Sequence, residues 1–119
     1  GGSQAGLGQL VAKIDQLLKE NRESKQKAAG KKAYGQAKKQ YRAYRKKMVT
    51  AVKTQNKEIK KRELRRIRRM PSEQRAKART ELKERLKSRV KAVNDKLPQK
   101  VDSPSHLQKL MQTSRVLKV

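Results

Sequence analysis

Between Lys57 and Arg69 the chain reads KEIKKRELRRIRR, in which eight of thirteen residues are Lys or Arg. On a helix, at about 100° per residue, Arg62, Arg65, Arg66 and Arg69 share one face, while Lys57, Lys60, Lys61 and Arg68 spread round the others. The expectation is a rod with charge wrapped round it, whose like charges three and four residues apart repel one another. Such a rod needs anions on more than one side. A nucleic acid backbone supplies them as a continuous row and releases its counterions as the side chains neutralise it. A solvated helix face explains ordinary charge runs, but it implies a second, apolar face.

Composition sharpens the problem. The 119 residues carry 35 Lys and Arg against 10 Asp and Glu, a formal net charge of +25, and only 33% of them are hydrophobic, with no Trp or Phe and three Tyr. Ordinary domains are about 45–50% apolar. High charge with low hydrophobicity is the composition of chains that stay disordered alone, so order is expected to come from a bound polyanion or an assembly. With no cysteine there is neither a disulfide framework nor a thiolate metal site. No apolar run approaches the roughly 18–20 residues that span a bilayer.

Along the chain three segments separate. Residues 1–30 open with GGSQAG, expected to be an extended arm. Leu7, Leu10, Val11, Ile14, Leu17 and Leu18 then form the stripe of an amphipathic helix, read as an assembly surface that packs against its own or a sister chain. Asp15, Glu20 and Glu23 would repel anionic lipid, so a membrane partner is not expected. Gly30 marks the expected break.

Residues 31–97 are the expected nucleic-acid-binding part. A long helix over about 36–69 carries Lys38, Lys39, Arg42, Arg45, Lys46 and Lys53 ahead of the basic run, along a seam one residue wide formed by Tyr34, Ala37, Tyr41, Tyr44, Met48, Val52, Gln55 and Ile59. The tyrosines lie among bases, which suits stacking on single strands, but their helical spacing suits packing as well. Met70 and Pro71 end that rod, and Ser72 and Glu73 open a second one over about 72–96. Its apolar side is Ala78, Leu82, Leu86, Val90, Val93 and Leu97, and Arg75, Arg79, Lys83 and Lys87 are further candidates for phosphate contact. Glu73 with Lys77 and Glu81 with Arg85 are expected i,i+4 pairs.

Residues 98–119 hold a linker and a last helix, with Ser103 before Pro104 as N-cap and first position. Leu107, Leu110, Met111 and Leu117 give this helix its own assembly stripe. The charge divides accordingly: 26 basic and 6 acidic residues fall in 31–97, a net of +20, and 9 and 4 elsewhere, a net of +5.

Catalytic chemistry is not suggested. The one histidine, His106, sits in the first turn of the last helix and reads as a capping or solvated residue. The acids are scattered among bases, and the glycines match no phosphate loop, so no metal, cofactor or small-molecule substrate is expected. Zinc-finger, RNA-recognition and KH signatures are missing too, which leaves phosphate contact without base reading.

The fold expected is all-α, an elongated helix-turn-helix hairpin of two long basic helices joined at Pro71, with shorter apolar helices at both ends that pack against neighbouring copies. In this layout the chain resembles the major coat proteins of filamentous archaeal viruses. The resemblance rests on architecture alone: the basic helices 36–69 and 72–96, the Met70-Pro71 joint, and the apolar helices 7–20 and 105–117. It implies a virion protein that pairs with itself or a related chain and wraps double-stranded DNA in a helical filament. Other readings are a ribosomal or other ribonucleoprotein component, a nucleoid packaging protein, and a helical binder of acidic proteins.

Overall fold

The computed structural model describes residues 2–114, with side chains from Gly6 onward, and the regular elements among them are all helices. They are α1 (Gly2–Glu23), α2 (Lys27–Arg68), α3 (Ser72–Lys96) and α4 (Pro104–Ser114). The molecule measures 68 × 27 × 18 Å, and α2, whose 42 residues make about 63 Å of helix, spans nearly all of its length.

The core sits at the end of the rod where α1 lies against α2. Ile14, Leu17 and Leu18 of α1 meet Ala37, Tyr41, Tyr44, Met48 and Val52 of α2, and Leu97, Leu107 and Met111 close the cluster from the other side. This corrects the expected use of both apolar stripes. Leu7, Ile14, Leu17, Leu18, Leu107 and Met111 are buried within their own chain, and Leu10, Val11 and Leu110 pack on the edge of the same core. Leu117 lies outside the described residues. A connection of three residues between α1 and α2 costs little closure entropy, so the stripe meets the α2 seam before any second copy can. The thin seam thereby gains a partner on each side, and the fold has an interior of its own.

Two local expectations also change. The first residues are helical from Gly2 rather than extended. The break comes at Ser24–Gln26 instead of Gly30, because α1 ends on Ser24 N–H donating to Glu20 O at 3.0 Å and the Ser24 hydroxyl donates to Gln26 O at 2.7 Å. Gly30 is a buried member of α2, held close to α1 by Asn21 Nδ2 donating to its carbonyl at 2.9 Å. Gly35 lies in the same helix with nothing within 4 Å of where a Cβ would stand. Gly35→Ala therefore raises stability by about 1 kcal/mol, since alanine restricts the unfolded chain and meets no obstruction, as a urea midpoint shift at constant slope will register.

The turn at residues 69–71 closes α2 with Arg69 N–H to Arg66 O at 3.2 Å and Met70 N–H to Ile67 O at 3.0 Å. α3 then runs back along α2: Asn56 Nδ2 donates to Leu86 O at 3.0 Å, Arg89 Nε to Asn56 Oδ1 at 2.9 Å, and Tyr41 OH to Pro98 O at 2.7 Å. Beyond the core the two helices form an arm with a small apolar patch of its own, Ile59, Ile67 and Leu82, flanked by Leu64, Met70, Ala78 and Leu86. A polar layer of Gln55, Asn56 and Arg89 separates this patch from the main core, with Arg89 also donating to Gln55 Oε1 at 2.7 Å. The basic run is thus not charged on every side, since Ile59 and Ile67 are buried within it.

At the last helix Ser103 Oγ accepts from His106 N–H at 3.0 Å, and His106 Nδ1 accepts from Asp102 N–H at the same distance. The Ser103 cap is thus formed, and the imidazole completes it from the other side.

Tyr41 has no exposed surface, and burial pushes its phenol up to about 12, with Arg45 lowering it and Tyr44 raising it by smaller amounts. An unfolded phenol titrates near about 10. The folded state therefore holds this proton more tightly, and the stability it contributes is complete below about pH 10 and lost as pH rises toward 12, by roughly 2–3 kcal/mol. Urea unfolding at pH 9 and 11 should show about half of this loss, roughly 1.4 kcal/mol, in the parent and a smaller one in Tyr41→Phe, the lysine titrations being common to both.

Candidate nucleic-acid interface

Of the cations expected to meet an anion, all are exposed except Lys38, Arg45 and Arg75. Those three have work inside the fold. Arg45 donates through Nε to Leu97 O at 2.6 Å and through a terminal nitrogen to Asn94, so it caps the end of α3. Arg75 Nε donates to Met70 O at 2.9 Å and ties the turn. Lys38 stands with its ammonium 4.7 Å from the Tyr34 ring centroid, close enough for a cation–π contact. Arg45 and Arg75 thus also support the fold, each through a guanidinium held on a main-chain carbonyl.

The tyrosines divide. Tyr41 and Tyr44 are buried core residues, so neither offers a ring to a base. Tyr34 remains half-buried, its phenol pushed up first by burial and then by Asp102.

Carboxylates neutralise little of the arm. Arg66 pairs with Glu63 at 2.7 Å, Arg85 reaches the other oxygen of Glu63 at 3.7 Å, and Lys61 stands 3.8 Å from Glu58. The hydrogen bond from Arg66 holds the Glu63 carboxyl below its usual range. The pairs expected within α3 do not form, since Arg85 crosses to α2 rather than turning along its own helix to Glu81, and Lys77 has no carboxylate within 4 Å. Lys53, Lys57, Lys60, Arg62, Arg65, Arg68 and Arg69 have no ion pair among the described residues and stand in solvent along α2. Arg79, Lys83 and Lys87 do the same on α3, as do Lys39, Arg42 and Lys46 nearer the core.

The chain matches no protein-family profile, no curated protein and no solved structure. Function must therefore be argued from this surface. Among the described residues no three His, Cys, Asp or Glu side chains gather as a metal site, and no helix is long and apolar enough to cross a membrane. What the surface offers chemically is a dense set of donors with few matching acceptors. Like charges held this close in one scaffold repel, and a polyanion laid against them relieves the repulsion.

Two features escaped the sequence reading. Arg89 carries no signal of its own in the sequence, yet it bridges to α2 through both Gln55 and Asn56. A mid-seam Gln-Asn pair opposite an arginine was the available signal. A second cationic cup, of about 230 Å³, opens where the linker after α3 crosses α2, lined by Lys38, Arg42 and Lys100 with Gln99 and Val101.

Proposed function

We propose that this is a structural nucleic-acid-packaging protein, an elongated basic hairpin that binds the phosphate backbone without reading sequence, with duplex DNA its favoured partner. The observation that carries this reading is the row of exposed cations Lys53, Lys57, Lys60, Arg62, Arg65, Arg68 and Arg69, without an ion pair among the described residues, on an arm whose apolar patch is too small to need such a surface for packing. Lysine and arginine in solvent position a polyanion, whereas base reading needs side chains held at a groove edge. With a charge of one per 1.7 Å of duplex, the net +20 on residues 31–97 neutralises at most about 34 Å, near 10 bp per chain. That density suits a protein that covers its nucleic acid, as in a virion or a condensed nucleoprotein.

The test is the dependence of affinity on salt for two duplexes of unrelated sequence. The expected outcome is a steep fall of log K with log [salt], with a slope of roughly −6 or steeper, and the same for both sequences. Equal binding to polyglutamate of matched charge would favour a binder of acidic proteins and end the proposal.

A further inference from the structure

The two flanks of the arm differ in a way that composition hides. On one side of the seam, α2 and α3 enclose a groove of about 280 Å³ lined by Lys53, Lys57 and Lys60 from α2 and Lys87 from α3, over a floor of Leu86 and Val90. No carboxylate lines it. On the other side, nearer the tip, the corresponding groove is lined by Glu63 and Glu81 as well as Arg66 and Arg85, and it is internally neutralised. At about 100° per residue Lys60 and Arg66 fall on opposite sides of the line from Ile59 to Ile67, so these are two faces of one seam.

We infer that the lysine-lined groove is a discrete seat for a run of phosphodiesters of one strand, so that of the two flanks of the seam one grips and the other, being neutralised, does not. This rests on the nucleic-acid reading and adds where the backbone lies and how much of it is held. From Lys53 to Lys60 the helix rises about 10 Å, so the groove is long enough for a short run of neighbouring phosphates. The floor is apolar and suits the carbon edge of the sugars. Asn56, the remaining polar side chain there, is already committed, donating to Leu86 O at 3.0 Å and accepting from Arg89 at 2.9 Å. No aromatic lines the groove, so bases are not stacked in it. Four ammonium groups without an acceptor hold phosphate and select nothing else about the strand.

The test compares two quadruple variants that lose the same charge, with a mixed-sequence 20-bp DNA duplex as the probe. One is Lys53→Gln, Lys57→Gln, Lys60→Gln and Lys87→Gln. The other is Lys13→Gln, Lys19→Gln, Lys25→Gln and Lys109→Gln, all exposed and away from the arm. The groove variant should lose about three from the magnitude of the salt slope and at least about a hundredfold in affinity at 0.15 M salt, and the control less than one and only a few-fold. Circular dichroism melts of both should match the parent, because none of these side chains is buried. If both variants weaken equally, net charge alone governs binding and the groove is overturned while the nucleic-acid reading stands. If the parent protein does not bind the duplex, both fail.

Discussion

Replacing Arg65 and Arg68 together by glutamate should lower affinity for duplex DNA by on the order of a hundredfold or more at about 0.15 M salt, and should leave helix content and melting unchanged. Both side chains are exposed and neither has an ion pair among the described residues, so reversal breaks no described interaction that holds the fold. The effect on binding is large because two attractive contacts become two repulsive ones, and the salt slope should lose about two. Stability should hold or rise slightly, since two like charges three residues apart on one helix are removed from a basic neighbourhood. Arg66 is the wrong neighbour to use. Its bond to Glu63 would become a repulsion in Arg66→Glu, and lost binding would be mixed with damage to the arm. Fluorescence anisotropy across a salt series, with a thermal melt on the same samples, gives both readouts. Unchanged affinity would remove the outer face of α2 from the interface.

Leu97→Ala should cost about 3–4 kcal/mol and lower the melting temperature by roughly 10 °C or more. Leu97 has no exposed surface, and it closes the core where α3 ends between α2 and α4. Its carbonyl accepts from Arg45 and the next carbonyl accepts from Tyr41, so the site cannot collapse to fill the cavity without disturbing two anchored hydrogen bonds. Single domains are stable by roughly 0.05–0.15 kcal/mol per residue, and self-repulsion among 35 basic side chains puts this one toward the lower end. A loss of this size should leave a substantial fraction unfolded at physiological temperature. Differential scanning calorimetry at two salt concentrations measures the loss and shows how much of it salt restores. A change below about 1 kcal/mol would mean that Leu97 does not close the core as described.

Periodicity in the sequence identified which side chains face inward, and the reason for the failures is equally physical. The stripe from Leu7 to Leu18 reports an apolar face without reporting whose surface covers it. A sister chain and the chain's own α2 satisfy it alike, and the short Ser24–Gln26 connection decided between them. Proline and capping chemistry are local, so the Pro71 joint and the Ser103 cap were legible where they occur. Gly30 misled because a single glycine need not end a helix, and here it lies inside α2 with Asn21 bonded to its carbonyl and room for a Cβ at ordinary contact distance. Arginine was the least legible residue of all. Arg45, Arg75 and Arg89 look in sequence like the cations beside them, and what makes them structural is the oxygens they meet, from a distant segment for Arg45 and Arg89 and from the adjoining turn for Arg75. Among the candidate phosphate ligands the sequence located the helices, but the contrast between a carboxylate-free flank and a neutralised one depends on how α2 and α3 are rotated about each other.

The polar layer of Gln55, Asn56 and Arg89 has a mechanical consequence. By interrupting the oil between handle and prong it fixes the sliding register of the two helices at one height, and it uncouples what happens beyond that height from what happens below. The prong is then a gauge whose reach can be trimmed by whole turns on both helices without the handle changing shape.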